Sequence, residues 1–408
     1  MNSPEVLAPA GNFERLETAL CYGADAVYLG GEDFNLRAQG QGFSREELAR
    51  ARKRTQDEGV RLYYCLNILA RDIHLPLIRD QLEILADMDL DGLIIADPGV
   101  LALARERAPE IPIHLSTQAN TSNAASALFW QRQGVRRVNL ARELDLKSIR
   151  TIRNTAPEME LEVFVHGAMC MALSGRCLMS AYLNQRSANL GLCTHPCRFE
   201  YTVTGLALEE RQRPGQPVWE VLDGQPYTRI LASEDLCLVK YLAWFVKNRI
   251  DALKIEGRMK TSLYLAQVLD VYVTALADLE AGTFRPRTYL QELAQASTRP
   301  LGTGMTLHRN RILLQPEKRA GTYPVLAQIG ERVRDSVWTV RVKSRWEASN
   351  PVHILVPGLE RPLLGPGGYG LEGPSGDRLE LVHSGQEARL RCDHPDLAPW
   401  RLLRLAPC

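Results

Sequence analysis

Eight short apolar or β-branched runs, separated by stretches of helical period, constrain this chain's fold more than any other feature. They occupy residues 6–8, 26–29, 62–66, 93–95, 113–115, 138–140, 161–165 and 253–255. Continuous apolar strands alternating with helices imply a parallel sheet covered on both faces. Eight such units point to an α/β fold of the closed (β/α)8 TIM-barrel type. An open doubly wound sheet is the alternative that pattern alone leaves standing. The helical stretches carry their own end signals. Asn12 suits an N-cap, Gly23 a C-terminal stop, and Ser44 with Glu47 forms a capping-box pattern. After the eighth run, Leu265, Val268, Leu269, Tyr272, Leu276 and Leu279 fall on one helical stripe.

The connection between the seventh and eighth runs, residues 166–251, is several times the usual length. Long loops of this kind usually carry function. In a barrel this one would open on the C-terminal face, where active sites are built. Residues 1–295 are therefore expected to form the barrel, with 166–251 as an insertion. Beyond residue 300 the pattern changes. Residues 337–342 alternate, and turns such as Gly365-Pro366-Gly367-Gly368 separate short strands. Residues 296–408 read as a small all-β domain, a barrel or sandwich.

Four of the 9 cysteines sit in the insertion: Cys170, Cys177, Cys193 and Cys197. Four thiolates can bind Zn2+ or a [4Fe–4S] cluster. Zinc ribbons usually pair cysteines about two to four residues apart, and only Cys193 and Cys197 are spaced so. The irregular spacing leans toward iron–sulfur, with zinc and buried thiols both left open. Arg176 and Arg198 would favour thiolate. Cys237 is a possible fifth member of the group but reads more as a core residue, and Cys21 and Cys65 read as packing. The first residues lack a signal-peptide pattern and no run of 18 apolar residues occurs, so the expectation is a cytoplasmic chain without a membrane span. A net charge of +1 advertises neither nucleic acid nor membrane, so any RNA contact must be local.

Polar residues just after barrel strands point at a shared mouth. Here they are Asn67, Asp97, Gln118, Asn120, Arg142, Glu143, His166, Glu256 and Arg258, with Lys254 inside the eighth run. Amides, guanidinium groups and carboxylates converging in this way suit an oxygen-rich anionic ligand. The signatures of zinc proteases, serine hydrolases and P-loop enzymes are absent from the sequence. His166 and Cys170 are close enough to raise a cysteine-protease pair, but no orienting Asn or Asp is obvious.

Several motifs carry a resemblance. They are Leu7-Ala8-Pro9-Ala10-Gly11-Asn12, Gly23-Ala24-Asp25-Ala26-Val27-Tyr28, and His114-Leu115-Ser116-Thr117-Gln118-Ala119-Asn120. Phe164-Val165-His166-Gly167-Ala168-Met169-Cys170, Ser174-Gly175-Arg176-Cys177, Cys193-Thr194-His195-Pro196-Cys197-Arg198 and Lys254-Ile255-Glu256-Gly257-Arg258 complete the set. Across nearly its whole length the chain resembles the peptidase U32 family of collagenase-like peptidases. It is most similar to the tRNA hydroxylation branch, in length, in its β-rich extension and in Ser233-Glu234-Asp235-Leu236.

That resemblance implies a (β/α)8-like barrel with a C-terminal β-barrel domain, and a [4Fe–4S] cluster on Cys170, Cys177, Cys193 and Cys197. It implies formation of 5-hydroxyuridine at the wobble position of tRNA, with prephenate as hydroxyl source. Sister branches hydroxylate a ribosomal RNA cytidine or ubiquinone precursors. Within that reading Arg37, Asn67, Gln118, Arg142, Lys254 and Arg258 are the candidates for binding substrate or the carboxylate donor. His166, Glu143 and Glu256 are candidates for proton transfer. Arg309, Arg311, Lys318 and Arg319 form the nearest basic stretch for gripping RNA. The expected partners are tRNA, prephenate, and iron–sulfur or redox proteins. A peptidase using zinc or a cysteine nucleophile, and a non-catalytic half of a hetero-complex, remain the competing readings.

Overall fold

The computed structural model describes residues 3–36, 42–170, 172–199, 234–297, 299–307, 312–314 and 324–406. Strands β1 (Glu5–Pro9), β2 (Ala26–Leu29), β3 (Arg61–Leu66), β4 (Gly92–Ile95), β5 (Ile113–Leu115), β6 (Arg137–Asn139) and β7 (Glu160–Ala168) pair in sequence order, all parallel. Strand β8 (Asp235–Cys237) intervenes, and β9 (Ala252–Ile255) then closes the barrel between β7 and β1. Helices α1 (Phe13–Cys21), α2 (Arg45–Asp57), α3 (Leu75–Ala86), α4 (Pro98–Arg107), α5 (Ala124–Arg132) and α6 (Leu146–Thr155) fill the first six connections. Local chemistry sets their starts. The Asn12 side chain accepts from the Arg15 N–H, and Ser44 and Glu47 make the reciprocal capping box.

The seventh connection departs from the repeat. The cysteine-bearing segment contains the short helix α7 (Met179–Asn184). Strand β8 returns antiparallel along the end of β7, and α8 (Leu242–Lys247) leads into β9. Part of the stretch read as insertion is thus scaffold: β7 continues to Ala168, and β8 and α8 cover the barrel wall. Helices α9 (Ser262–Glu280) and α10 (Pro286–Ala296) follow β9. Strand β10 (Leu301–Gly302) then pairs in parallel with β8, and β11 (Ile312–Leu314) with β10. These two strands lie beyond residue 296 yet join the barrel's sheet, because β8 offers them an open edge.

One irregularity matters for the site. Phe164 of β7 lies opposite Lys254 and His166 opposite Ile255, so Val165 is an extra residue in a β-bulge. Side chains alternate in a strand, and one inserted residue reverses which face the next one meets.

Strands β12 (Val325–Arg334), β13 (Val337–Val342), β14 (Trp346–Glu347), β15 (Val352–Leu355), β16 (Leu363–Leu364), β17 (Gly370–Glu372), β18 (Arg378–Leu379), β19 (Leu381–Val382), β20 (Glu387–Arg391) and β21 (Leu402–Leu405) build the second domain. Eight of them form one antiparallel sheet in the order β16-β15-β21-β12-β13-β20-β17-β18, a half-barrel. Its core holds Trp346, fully buried, whose indole N–H donates to Tyr369 Oη at 2.9 Å.

The half-barrel packs on α1, α9 and α10. Tyr22 Oη donates to the Leu355 carbonyl at 2.8 Å, and Asp270 pairs with Arg361 at 2.7 Å while accepting the Gly358 N–H at 2.7 Å. At the other end of α1, Glu14 meets Lys343 at 2.8 Å and Arg341 at 2.9 Å. Among the described residues α9 is the one helix long and apolar enough to cross a membrane, but most of it is already buried in this packing.

Candidate functional site

The barrel interior is charged at its base. Arg137 meets Glu5 at 2.7 Å and Glu160 at 2.8 Å, and Tyr63 Oη donates to Glu5 at 2.9 Å. One layer up, Lys254 Nζ meets Glu162 Oε1 at 2.7 Å, their side chains 5% and 2% exposed. Arg137 lies 3.8 Å from the second oxygen of Glu162. Buried ions persist only when paired, and here acids and bases alternate through the barrel. His114, buried among them, is held well below its ordinary pKa by burial and then by Arg137 and Lys254.

Above Lys254 a cavity opens at the C-terminal ends of the strands, about 1200 Å³ counting its open mouth. Lys254 Nζ stands 4.5 Å from the centre of the Tyr28 ring. The Arg142 guanidinium stacks on Phe164 at 3.9 Å and donates to the Ala168 carbonyl at 3.1 Å. Arg258 donates to Asn35 Oδ1 at 2.7 Å. Four lining residues keep buried polar atoms without a partner among the described residues: Gln118 Nε2, Asn139 Oδ1, Arg142 Nε and Arg198 Nε. Gln118 and Asn139 are 2% and 3% exposed. An unpaired buried group costs about 1–3 kcal/mol, so these atoms leave the cavity wall with hydrogen-bonding capacity for a polar ligand.

The cysteine segment forms a lid over this cavity. Cys170, Cys177, Cys193 and Cys197 all line it, all half-buried and none in a disulfide. Glu143 accepts both the Ser174 N–H at 2.6 Å and its hydroxyl at 2.5 Å. Arg176 Nε donates to the Gln118 carbonyl at 2.6 Å. Asn189 accepts the Cys177 N–H at 3.2 Å, and its own carbonyl takes the Leu69 N–H at 3.1 Å. Gly191 sits at φ +84°, and a Cβ there would lie 2.4 Å from the Asn35 carbonyl oxygen. Burial raises the Cys197 thiol pKa, Arg198 opposes that, and the other three thiols reinforce it. The other three sulfurs are therefore within electrostatic reach of Cys197. The four do not crowd one point: among the described residues no three His, Cys, Asp or Glu side chains are gathered as around a single ion. His195 donates its N–H to Cys193 Sγ at 3.4 Å, and its ring Nδ1 lies 3.8 Å from that sulfur.

Asn67, Gln118, Arg142, Lys254, Glu256 and Arg258 line the same cavity as the four cysteines. Asn67 Oδ1 accepts the Leu36 N–H at 3.3 Å. Two candidates for proton transfer are elsewhere. The bulge at Val165 turns His166 outward, where Nδ1 lies 3.4 Å from Tyr272 Oη and the ring packs against Tyr264. Burial and Lys260 push its pKa down to about 3, so it is neutral at ordinary pH. Glu143 is a lid anchor, its carboxylate taken up by Ser174. Arg37 lies outside the described residues, as do Arg309, Arg311, Lys318 and Arg319. Cys237 is fully buried on β8 with its thiol pKa raised to about 11 by burial, and packs in the core.

Sequence reasoning missed Asn139, Ser116 and Thr117 in the cavity wall, and the ions beneath it. Glu162 and Asn139 did leave a trace, as polar residues inside otherwise apolar strand runs.

A family model described as Peptidase family U32 matches residues 11–315. The tRNA hydroxylation protein P of Escherichia coli (strain K12) is 39% identical over 69% of this chain and 70% of its own length. The tRNA hydroxylation protein P1 of Bacillus subtilis (strain 168) is 36% identical over 74% of this chain and 70% of its own. A protein named collagenase from Porphyromonas gingivalis (strain ATCC BAA-308 / W83) is 32% identical over 70% and 68%. With its motifs carried on a barrel mouth and three quarters of its length matched by these comparisons, the chain belongs to peptidase family U32.

Proposed function

We propose that this chain acts in tRNA hydroxylation, forming 5-hydroxyuridine at the wobble position. In this reading the lid holds a [4Fe–4S] cluster through Cys170, Cys177, Cys193 and Cys197, and prephenate supplies the hydroxyl. The observation that carries it is the meeting of four lid cysteines with a cavity whose floor is a buried lysine and whose walls hold unpaired amides. Thiols spread around a cavity suit a cluster that brings its own sulfides, whereas tetrahedral zinc draws its four ligands to one point. When bound, such a cluster supplies a redox couple.

The protein's own residues have defined tasks. Lys254 and Arg142 offer two cations to a dicarboxylate, one as a point charge and one as a planar fork. Gln118 Nε2 offers a donor and Asn139 Oδ1 an acceptor, the complement of a uracil imide edge. Glu256, at the mouth, is the carboxylate placed to move a proton. In this reading the protein works in the cytoplasm, where its tRNA substrate is.

A peptidase is favoured by one contact, Cys193 beside His195. The pair raised from sequence, Cys170 with His166, does not form, since His166 faces α9. Anaerobic purification separates the readings. The expected result is brown protein with about four irons per chain, and tRNA from a deletion strain that lacks 5-hydroxyuridine and its derivatives. Colourless, iron-free protein with hydrolytic activity would favour the peptidase. Unchanged wobble uridines in a strain without an oxygen-dependent hydroxylase would overturn the tRNA assignment.

A further inference from the structure

The outer surface of the cysteine lid has a composition unlike the rest of the molecule. Residues 169–199 include Arg176, Arg186 and Arg198 and not one Asp or Glu, in a chain whose net charge is +1. None of the three arginines makes an ion pair among the described residues. Six of the thirteen large apolar side chains exposed among the described residues stand here: Leu173, Leu178, Tyr182, Leu183, Leu192 and Phe199. Tyr182 on α7 is 88% exposed, and every residue from Tyr182 to Arg186 faces solvent. The inner side of the same lid lines the cavity, with Met179, His195 and Arg198 at its surface.

We propose that this outer face docks RNA in single-stranded, splayed form, its bases stacking on Tyr182 and Phe199 and its phosphates meeting Arg176 and Arg186. Charge decides the occupant. A surface segment free of carboxylates, apolar and carrying Arg176 and Arg186 without an ion pair among the described residues, complements a polyanion that also presents flat apolar faces. Duplex RNA hides those faces; a loop exposes them. The lid thus reads the loop on one side and encloses the reacting base on the other. This rests on the tRNA reading above and adds the surface that reading lacks.

The test uses full-length, cluster-loaded protein and two probes: a 5′-labelled anticodon stem-loop and a blunt RNA duplex of equal charge. The stem-loop should bind more tightly than the duplex. Tyr182→Ala should weaken stem-loop binding on the order of tenfold, while Tyr182→Phe keeps it. Arg186→Gln should lower the slope of log affinity against log salt by roughly one. Iron content unchanged in each variant shows the lid intact. Wild-type binding that is indifferent to all three substitutions overturns the docking surface and leaves the tRNA reading standing. No binding of either probe by wild-type protein overturns both. A concentration-dependent dimer abolished by Tyr182→Ala, with RNA binding untouched, assigns the face to a second copy instead.

Discussion

Replacing Lys254 by Met tests how the barrel's buried charges serve the cavity. Lys254 Nζ and Glu162 Oε1 are 2.7 Å apart with both side chains almost wholly buried. Met fills the volume of the lysine stem but strands the Glu162 carboxylate. Breaking a buried pair by removing one partner costs about 3–5 kcal/mol. Arg137 stands 3.8 Å from the other Glu162 oxygen and shares the load, so the low end, about 3 kcal/mol, applies. At about 2 °C per kcal/mol for a domain of this size, the barrel should melt roughly 6 °C lower, read by circular dichroism at fixed scan rate. The double variant Lys254→Met, Glu162→Gln removes the stranded charge and should recover most of that loss. It should not recover binding of a dicarboxylate such as prephenate, because the cavity has lost a charged donor. Calorimetry should show binding weaker by roughly tenfold to a hundredfold. A single variant that melts with wild type, or a double variant no more stable than the single, refutes the reasoning.

Other outcomes follow from the lid and the bulge. Cys193→Ala should lose the iron of anaerobically purified protein, while Cys237→Ala should keep it; equal iron in both would reject the ligand assignment. Glu143→Ala frees the Ser174 turn, so limited proteolysis within residues 170–199 should quicken several-fold while the barrel's melting barely moves. His166 carries a signed pH dependence. Its folded pKa, near 3, lies below the unfolded value of 6.5, so the unfolded chain binds a proton that the folded one refuses. The contribution is complete above pH 6.5 and is lost as pH falls toward 3, about 2 kcal/mol of it by pH 5. His166→Phe should flatten the stability profile over that window, and identical slopes for the two proteins would refute it.

Much of the barrel was legible because its strands are buried on both faces and read as unbroken apolar runs. Asn12, Ser44 and Glu47 announced helix starts through local chemistry that the fold keeps. Strand β8 was not legible. Three residues, Asp235, Leu236 and Cys237, carry no period, and their pairing with β7 and β10 is wholly tertiary. The cavity was legible as a ring of polar strand ends, apart from four residues that do not line it: Asp97, which caps α4, Asn120, Glu143 and His166. An inserted residue in β7 leaves the sequence Phe164-Val165-His166 looking like plain alternation, so His166 reads as facing the mouth. Glu143 follows Arg142 at a strand end, and only the position of Ser174 shows which of the two is spent on the lid. The charged base escaped notice because Glu5, Arg137 and Glu162 each look like lone polar residues until closure brings β1, β6 and β7 together.

The half-barrel's attachment has a metric consequence. Asp270 on α9 caps the Gly358 turn and pairs with Arg361, Glu292 on α10 meets Arg361 at 3.3 Å, and Glu14 ties α1 to β13 and its following turn. These contacts run along the barrel's flank, from the end of α1 beside the mouth to the end that Tyr22 fastens. The second domain is held like the fixed jaw of a calliper. A ligand large enough to reach both the cavity and the sheet meets them at one separation, so its dimensions, and not only the group that reacts, decide whether it fits.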